Sequence, residues 1–174
     1  MQVTVTEKSK VLTVLKKKHP RLVGIDGIDG SGKSSLAQHL ARELGWTHIN
    51  LDDYVEKDMG KYVEHVRYEQ VQSMLNDTEG SIIIEGVCLL AVLEKLQRVP
   101  ELLIYIKIMS HYGIWYDEDD CAVNGDINDF IRDKRESLQE FDVAFPELAE
   151  EIMRYHCHYR PQDKAHIVYE RIDH

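Results

Sequence analysis

Residues 27–34 read Gly-Ile-Asp-Gly-Ser-Gly-Lys-Ser, a complete G-x-x-x-x-G-K-S. Residues of these types at this spacing suit the phosphates of a nucleotide. Gly30 and Gly32 give the backbone dihedrals closed to other residues, so successive N–H groups can turn inward. Those groups and the start of a following helix then surround phosphate oxygens. Lys33 brings a positive charge to the outer phosphates, and Ser34 brings a hydroxyl to a magnesium ion. The nucleotide-binding set is then Gly27, Asp29, Gly30, Ser31, Gly32, Lys33, Ser34 and Ser35. Asp29 is the exception in kind, a solvated or capping carboxylate, because an acid facing phosphates repels them.

Two further stretches supply acids. His48-Ile49-Asn50-Leu51 runs into Asp52-Asp53-Tyr54, and Ile82-Ile83-Ile84 runs into Glu85-Gly86-Val87. If both apolar runs are strands of one parallel sheet, their acids share an edge with the glycine loop. Glu85 can then hold a water of the magnesium shell. Asp52 can take the proton of a hydroxyl attacking a γ-phosphate while lying near the metal. The competing reading makes Asp52 or Asp53 a cap of the next segment and Glu85 a polar strand end. Arg132, in Ile131-Arg132-Asp133-Lys134-Arg135, can stabilise charge on a phosphoryl group in transfer, or else belong to an ordinary charged helix face.

These residues need a frame, and the periodicity provides one. A short helix is expected over 8–18, ended by Pro20, and a buried strand over 22–26. A helix from Lys33 carries Leu36, Ala37, Leu40, Ala41 and Leu44 on one face, with Gly45 as its terminator. Strands follow at 46–51, 81–85, 102–108 and 165–169. Helices are expected over 62–75, 88–96, 127–138 and 147–158, with Met74 and Met153 as core filler. Residues 110–126 carry no clear period. Alternation of strands and helices argues for an α/β sandwich of three layers.

Composition bounds the answer. The chain has 174 residues, one domain's worth, and a net charge of −10. That acidity excludes broad, salt-driven binding of nucleic acid or a membrane surface. Three cysteines at wide spacing argue against a disulfide framework and for a cytoplasmic location. No apolar run approaches the ~20 residues of a membrane span. Asp117-Glu118-Asp119-Asp120 lacks the glycine and final Glu of a calcium loop. His156-Cys157-His158 lacks a second ligand pair for zinc. No Asn-Lys-x-Asp is present to read guanine, and the chain is short for a motor ATPase.

Residues 27–34, Asp52-Asp53-Tyr54 and residues 82–86 together resemble the uridine kinase and nicotinamide riboside kinase group of P-loop kinases. That group is related to phosphoribulokinase and pantothenate kinase. Tyr159-Arg160-Pro161, followed by Ala165-His166-Ile167-Val168, is similar to the group's closing strand, with His166 where an Asp is usual. The resemblance covers about residues 21–170. It implies the P-loop nucleoside triphosphate hydrolase fold, with a five-stranded parallel sheet in the order 2-3-1-4-5, formed by one domain over 1–174. The N-terminal helix would fill 1–20 and a lid about 110–140. It implies ATP and Mg2+, and transfer of the γ-phosphate to a hydroxyl of a small metabolite. Carried over by position, Lys33, Asp52 and Arg132 are the catalytic set, and Ser34, Asp52 and Glu85 the metal set. Asp53, Tyr54, Tyr68 and Glu69 fall to the acceptor, with Glu69 where related kinases have Asp.

Two departures narrow the acceptor. Residues 76–80 leave no room for the hairpin with which uridine kinases hold a pyrimidine. The lid offers only Arg132, Lys134 and Arg135. The loop is also similar to that of thymidylate kinases, but Glu85-Gly86-Val87 stands where those have Asp-Arg-Tyr. A nucleotide-binding regulatory module without efficient catalysis is the third reading.

Overall fold

A computed structural model describes residues 2–56 and 59–172. Six strands form one sheet in which every neighbouring pair is parallel. They are β1 (Val3–Val5), β2 (Leu22–Asp26), β3 (Thr47–Asn50), β4 (Ile82–Glu85), β5 (Leu102–Met109) and β6 (Ile167–Ile172). Their order across the sheet is β1-β6-β5-β2-β4-β3. The expectation of five strands is thus corrected, and the sheet order differs from 2-3-1-4-5 by a strand at the edge. Val3-Thr4-Val5 is short and mostly exposed, so it lacks the apolar run that marks a buried strand. Pairing with β6 and two hydrogen bonds from the Gln2 amide, to the carbonyls of Gln162 and Ala165, hold it in place.

The central strands are buried on both faces, which is why they read as continuous apolar runs. Leu102, Ile104 and Ile106 of β5 join one core with α1 (Lys8–Lys18) and α2 (Lys33–Leu44). Leu103 and Tyr105 of the same strand join the other, beneath α3 (Tyr68–Asp77) and α4 (Leu89–Lys95). On that second face the chain adds α5 (Glu118–Cys121), α6 (Ile127–Gln139), α7 (Glu147–Tyr159) and α8 (Pro161–Lys164). No described helix is long and apolar enough to cross a membrane.

The expected helix over 62–75 splits. Val63–His65 form a single 3-10 turn, Val66 is extended and bridges Val55, and α3 begins only at Tyr68. The β-branched Val63 and Val66 suit that irregular path better than a helix interior. Met74 is 38% exposed and leaves the core, whereas Met153 is buried in it. The closing strand lies two residues later than expected. Residues 110–117 turn back along β5 so that Trp115 bridges Met109. Asp117 then stands at the N-cap position of α5 without a side-chain capping bond, and Glu118, Asp119 and Asp120 fill its first turn.

Strand register fixes what matters for function. Ile25 lies beside Glu85, Glu85 beside Asn50, and Asp26 beside Tyr105. The carboxyl ends of β2, β3 and β4 therefore lie on one edge, where ligands of such sheets bind.

Leu40, fully buried beneath the sheet, and Met74 should separate in a urea titration. Leu40→Ala should lose about 2–5 kcal/mol of stability. Met74→Ala should change it by no more than about 0.5 kcal/mol.

Candidate nucleotide and phosphoryl-transfer site

The glycine loop joins β2 to α2, as its motif requires. Gly30 has φ 71° and Gly32 φ 91°, both in the region that glycine alone enters cheaply. The carbonyl of Gly32 accepts the N–H of Leu36 at 3.1 Å, so the helix starts at the loop's last glycine. Asp29 is satisfied locally, its Oδ1 accepting the Gly30 N–H at 2.9 Å.

Lys33 is 6% exposed and its ammonium donates to the Ile28 carbonyl at 2.7 Å. Burial lowers its pKa, while Asp26, Glu85, Asp52 and Asp29 act in the opposite direction and favour the charged form. Acids at or just beyond the ends of three neighbouring strands thus favour its charged form. Ser31 is fully buried, and its Oγ has no hydrogen-bond partner among the described residues. Ser34 is half-buried in the first turn of α2, and Ser35 beside it is exposed.

Glu85 is fully buried. Its Oε1 lies 3.3 Å from Nε2 of His48, and its Oε2 has no partner among the described residues. A buried carboxylate oxygen without a donor is costly unless something else satisfies it. Ser34, Asp52 and Glu85 each carry an oxygen of the kind magnesium takes, though among the described residues no three acids, histidines or cysteines are grouped to hold a metal by themselves.

Asp52 sits in a 3-10 turn, Leu51–Tyr54, after β3, with Asn50 capping its N–H at 3.0 Å. The Tyr62 hydroxyl donates to Asp52 Oδ1 at 2.7 Å. Burial, together with the nearby Asp52, raises the Tyr62 pKa, so it stays a donor. Tyr62 is itself held by Glu151 of α7, which accepts its backbone N–H at 2.5 Å and that of Val63 at 3.2 Å. Gly86 makes room for this arrangement, since a methyl there would lie 2.9 Å from Leu51 and from the Tyr62 hydroxyl.

The other candidates are placed less closely. Asp53 is exposed, and its carbonyl accepts from Arg67 at 2.5 Å. Tyr54 is half-buried and its carbonyl accepts the Arg67 N–H at 2.8 Å. The Tyr68 hydroxyl donates to the Val63 carbonyl at 2.6 Å, and Glu69 is exposed in the first turn of α3. Arg132 lies exposed on α6 and pairs with Asp129 at 2.7 Å and Asp133 at 3.2 Å of its own helix.

Asp26, Tyr62, Glu151, Tyr155 and Arg171 escaped the sequence reading. Asp26 had a signal, an acid ending an apolar strand directly before the loop. Tyr62, Glu151 and Tyr155 meet their partners only in the fold. Arg171 of β6 lies against the loop, its Nη1 3.4 Å from where a methyl at Gly32 would stand.

A family model described as shikimate kinase matches residues 29–87. A shikimate kinase of Prosthecochloris aestuarii is 34% identical over 62 residues, or 36% of this chain and 32% of that protein. A thymidylate kinase of Leptospira interrogans is 35% identical over 79 residues, covering 39% of each. The matched stretch thus spans about a third of the shikimate kinases' length. A solved structure described as a possible uridine kinase, from Bacillus stearothermophilus, superposes with a TM-score of 0.51 at 16% identity over 93% of this chain and 96% of that one. That likeness shows the fold, the α/β fold of P-loop kinases. The family match runs from within the loop through the Glu85 strand, and the sequence matches do not single out the uridine kinase group.

Gly86→Ala should cost about 1–3 kcal/mol in a chemical denaturation experiment, because Leu51 and Tyr62 must both shift. A midpoint equal to wild type would mean that the segment yields freely.

Proposed function

We propose that this protein is a phosphotransferase that moves the γ-phosphate of ATP onto a hydroxyl of a small metabolite. The observation that carries the reading is the Lys33 ammonium, buried behind a glycine loop and faced by Asp26, Glu85 and Asp52. The loop N–H groups and Lys33 hold the phosphates. Ser34, Asp52 and Glu85 hold Mg2+, which when bound withdraws charge from the phosphate oxygens. Asp52, steadied by Tyr62, takes the proton of the acceptor hydroxyl as its oxygen bonds to the γ-phosphorus, and the oxygen bridging to the β-phosphate leaves with ADP.

The acceptor in this reading is a neutral, hydroxyl-rich molecule, sugar-like or nucleoside-like. A cavity of about 180 Å³ beside the loop is lined by Ile28, Asp29, Asp117, Asp120, Ile152 and Met153. Its acids can accept hydrogen bonds from acceptor hydroxyls, although Asp120 is paired with Lys134 at 2.8 Å. The match to a thymidylate kinase favours a nucleoside monophosphate instead, but Glu85-Gly86-Val87 opposes it. Residues 110–140 are assigned as the lid. The pairing of Arg132 within its own helix keeps the regulatory reading in view. In that case ATP binds and no product forms.

Incubation with magnesium and ATP, across a panel of nucleosides, sugars, pantothenate and deoxynucleoside monophosphates, should yield one phosphorylated neutral acceptor by mass spectrometry. Lys33→Ala should abolish it, and Asp52→Asn should slow it by about 10²–10⁴-fold. Unchanged turnover in Asp52→Asn would remove Asp52 as the base.

A further inference from the structure

Asp26 is fully buried at the last position of β2, one residue before the loop. Burial raises its pKa to about 6, and a buried carboxyl group needs hydrogen-bond partners. It has two. Its Oδ1 accepts the N–H of Gly27 at 2.7 Å, and its Oδ2 accepts the hydroxyl of Tyr155. The Tyr155 oxygen in turn accepts the N–H of Leu90, at the start of α4, at 3.1 Å. A continuous chain of hydrogen bonds thus runs from α4 through α7 to the first peptide of the loop.

The Tyr155 ring does not need its hydroxyl to pack. It stacks on Tyr159 at 5.1 Å and meets the edge of His156 at 5.2 Å. The hydroxyl is therefore spent on Asp26, and Asp26 is the first of the acids that favour the charge on Lys33. One helical turn earlier, Glu151 holds the backbone of the segment whose Tyr62 donates to Asp52. Residues 151 and 155 fall on one face of α7. A single helix face thus reaches both the nucleotide loop and the segment of the proposed base.

We infer that Tyr155, acting through Asp26, is a positioning residue for the nucleotide loop, and that α7 is the strut that fixes the loop relative to Asp52. The inference rests on the loop binding a nucleotide, as proposed above. Its role is to hold the Gly27 peptide and the Lys33 charge in place, without touching the nucleotide.

The test is the dissociation constant of Mg-ATP, by calorimetry, for the wild type, Lys33→Ala, Tyr155→Phe and Tyr159→Phe. Thermal midpoints are taken without nucleotide. Tyr159→Phe is the control, because it removes a hydroxyl from the same helix, one that donates to Glu94 instead. Tyr155→Phe should weaken binding about 5–20-fold, the loss of a hydrogen bond to a charged group. Tyr159→Phe should stay within about twofold of wild type. In an Asp26→Asn background, Tyr155→Phe should add less than about twofold, because the two act as one unit. That pair also serves if Tyr155→Phe alone does not fold, since the buried charge is then gone. A lowered thermal midpoint with unchanged affinity, or independent losses in the double variant, would overturn the inference. A wild type that does not bind Mg-ATP would instead overturn the nucleotide reading itself.

Discussion

A buried ammonium must be compensated, and the geometry of the site follows from how Lys33 is compensated. Removing a cation from water costs several kcal/mol unless charges of opposite sign stand close by. Here Asp26, Glu85, Asp52 and Asp29 do so, from the ends of β2, β4 and β3 and from the loop itself. A parallel sheet is the means of bringing three strand ends to one edge, and in-register pairing of β2 with β4, and of β4 with β3, sets their spacing. The acids outnumber the lysine, and Glu85 retains an oxygen without a donor.

The loop, the sheet edge and the acids at strand ends were legible in the sequence because each depends on local rules. A motif needs its glycines at fixed spacing, and a doubly covered strand needs an unbroken apolar run. The edge strand β1 was not legible, because three half-polar residues carry no burial signal and their pairing partner lies some 160 residues away. The irregular path through 62–67 was hidden for a different reason. Its valines fit a helical period, but Val66 is extended and bridges Val55, a pairing that helical periodicity does not report. Met74 leaves the core because Val71 and Leu75, four residues apart, take the inward face of α3.

The site residues divide along the same line. Lys33, Asp52 and Glu85 announce themselves by position relative to the loop. The groups that steady them, Tyr62, Glu151 and Tyr155, are ordinary residues whose value comes only from contacts across the fold. Arg132 shows the converse, since its sequence neighbours Asp129 and Asp133 occupy the guanidinium that its motif offered to phosphates. Arg171, unremarkable in sequence, lies against the loop instead. Residues 110–126 are where local rules say least, because they owe their shape to packing on β5 and α7.

The most direct measurement is a crystal structure with magnesium and a non-hydrolysable ATP analogue. The account predicts the β-phosphate among the N–H groups of 28–34, Lys33 turned from the Ile28 carbonyl to the phosphates, and the metal beside Ser34 with Glu85 on its water shell. Phosphates bound elsewhere on the protein, or a metal that leaves Glu85 uncontacted, would contradict it.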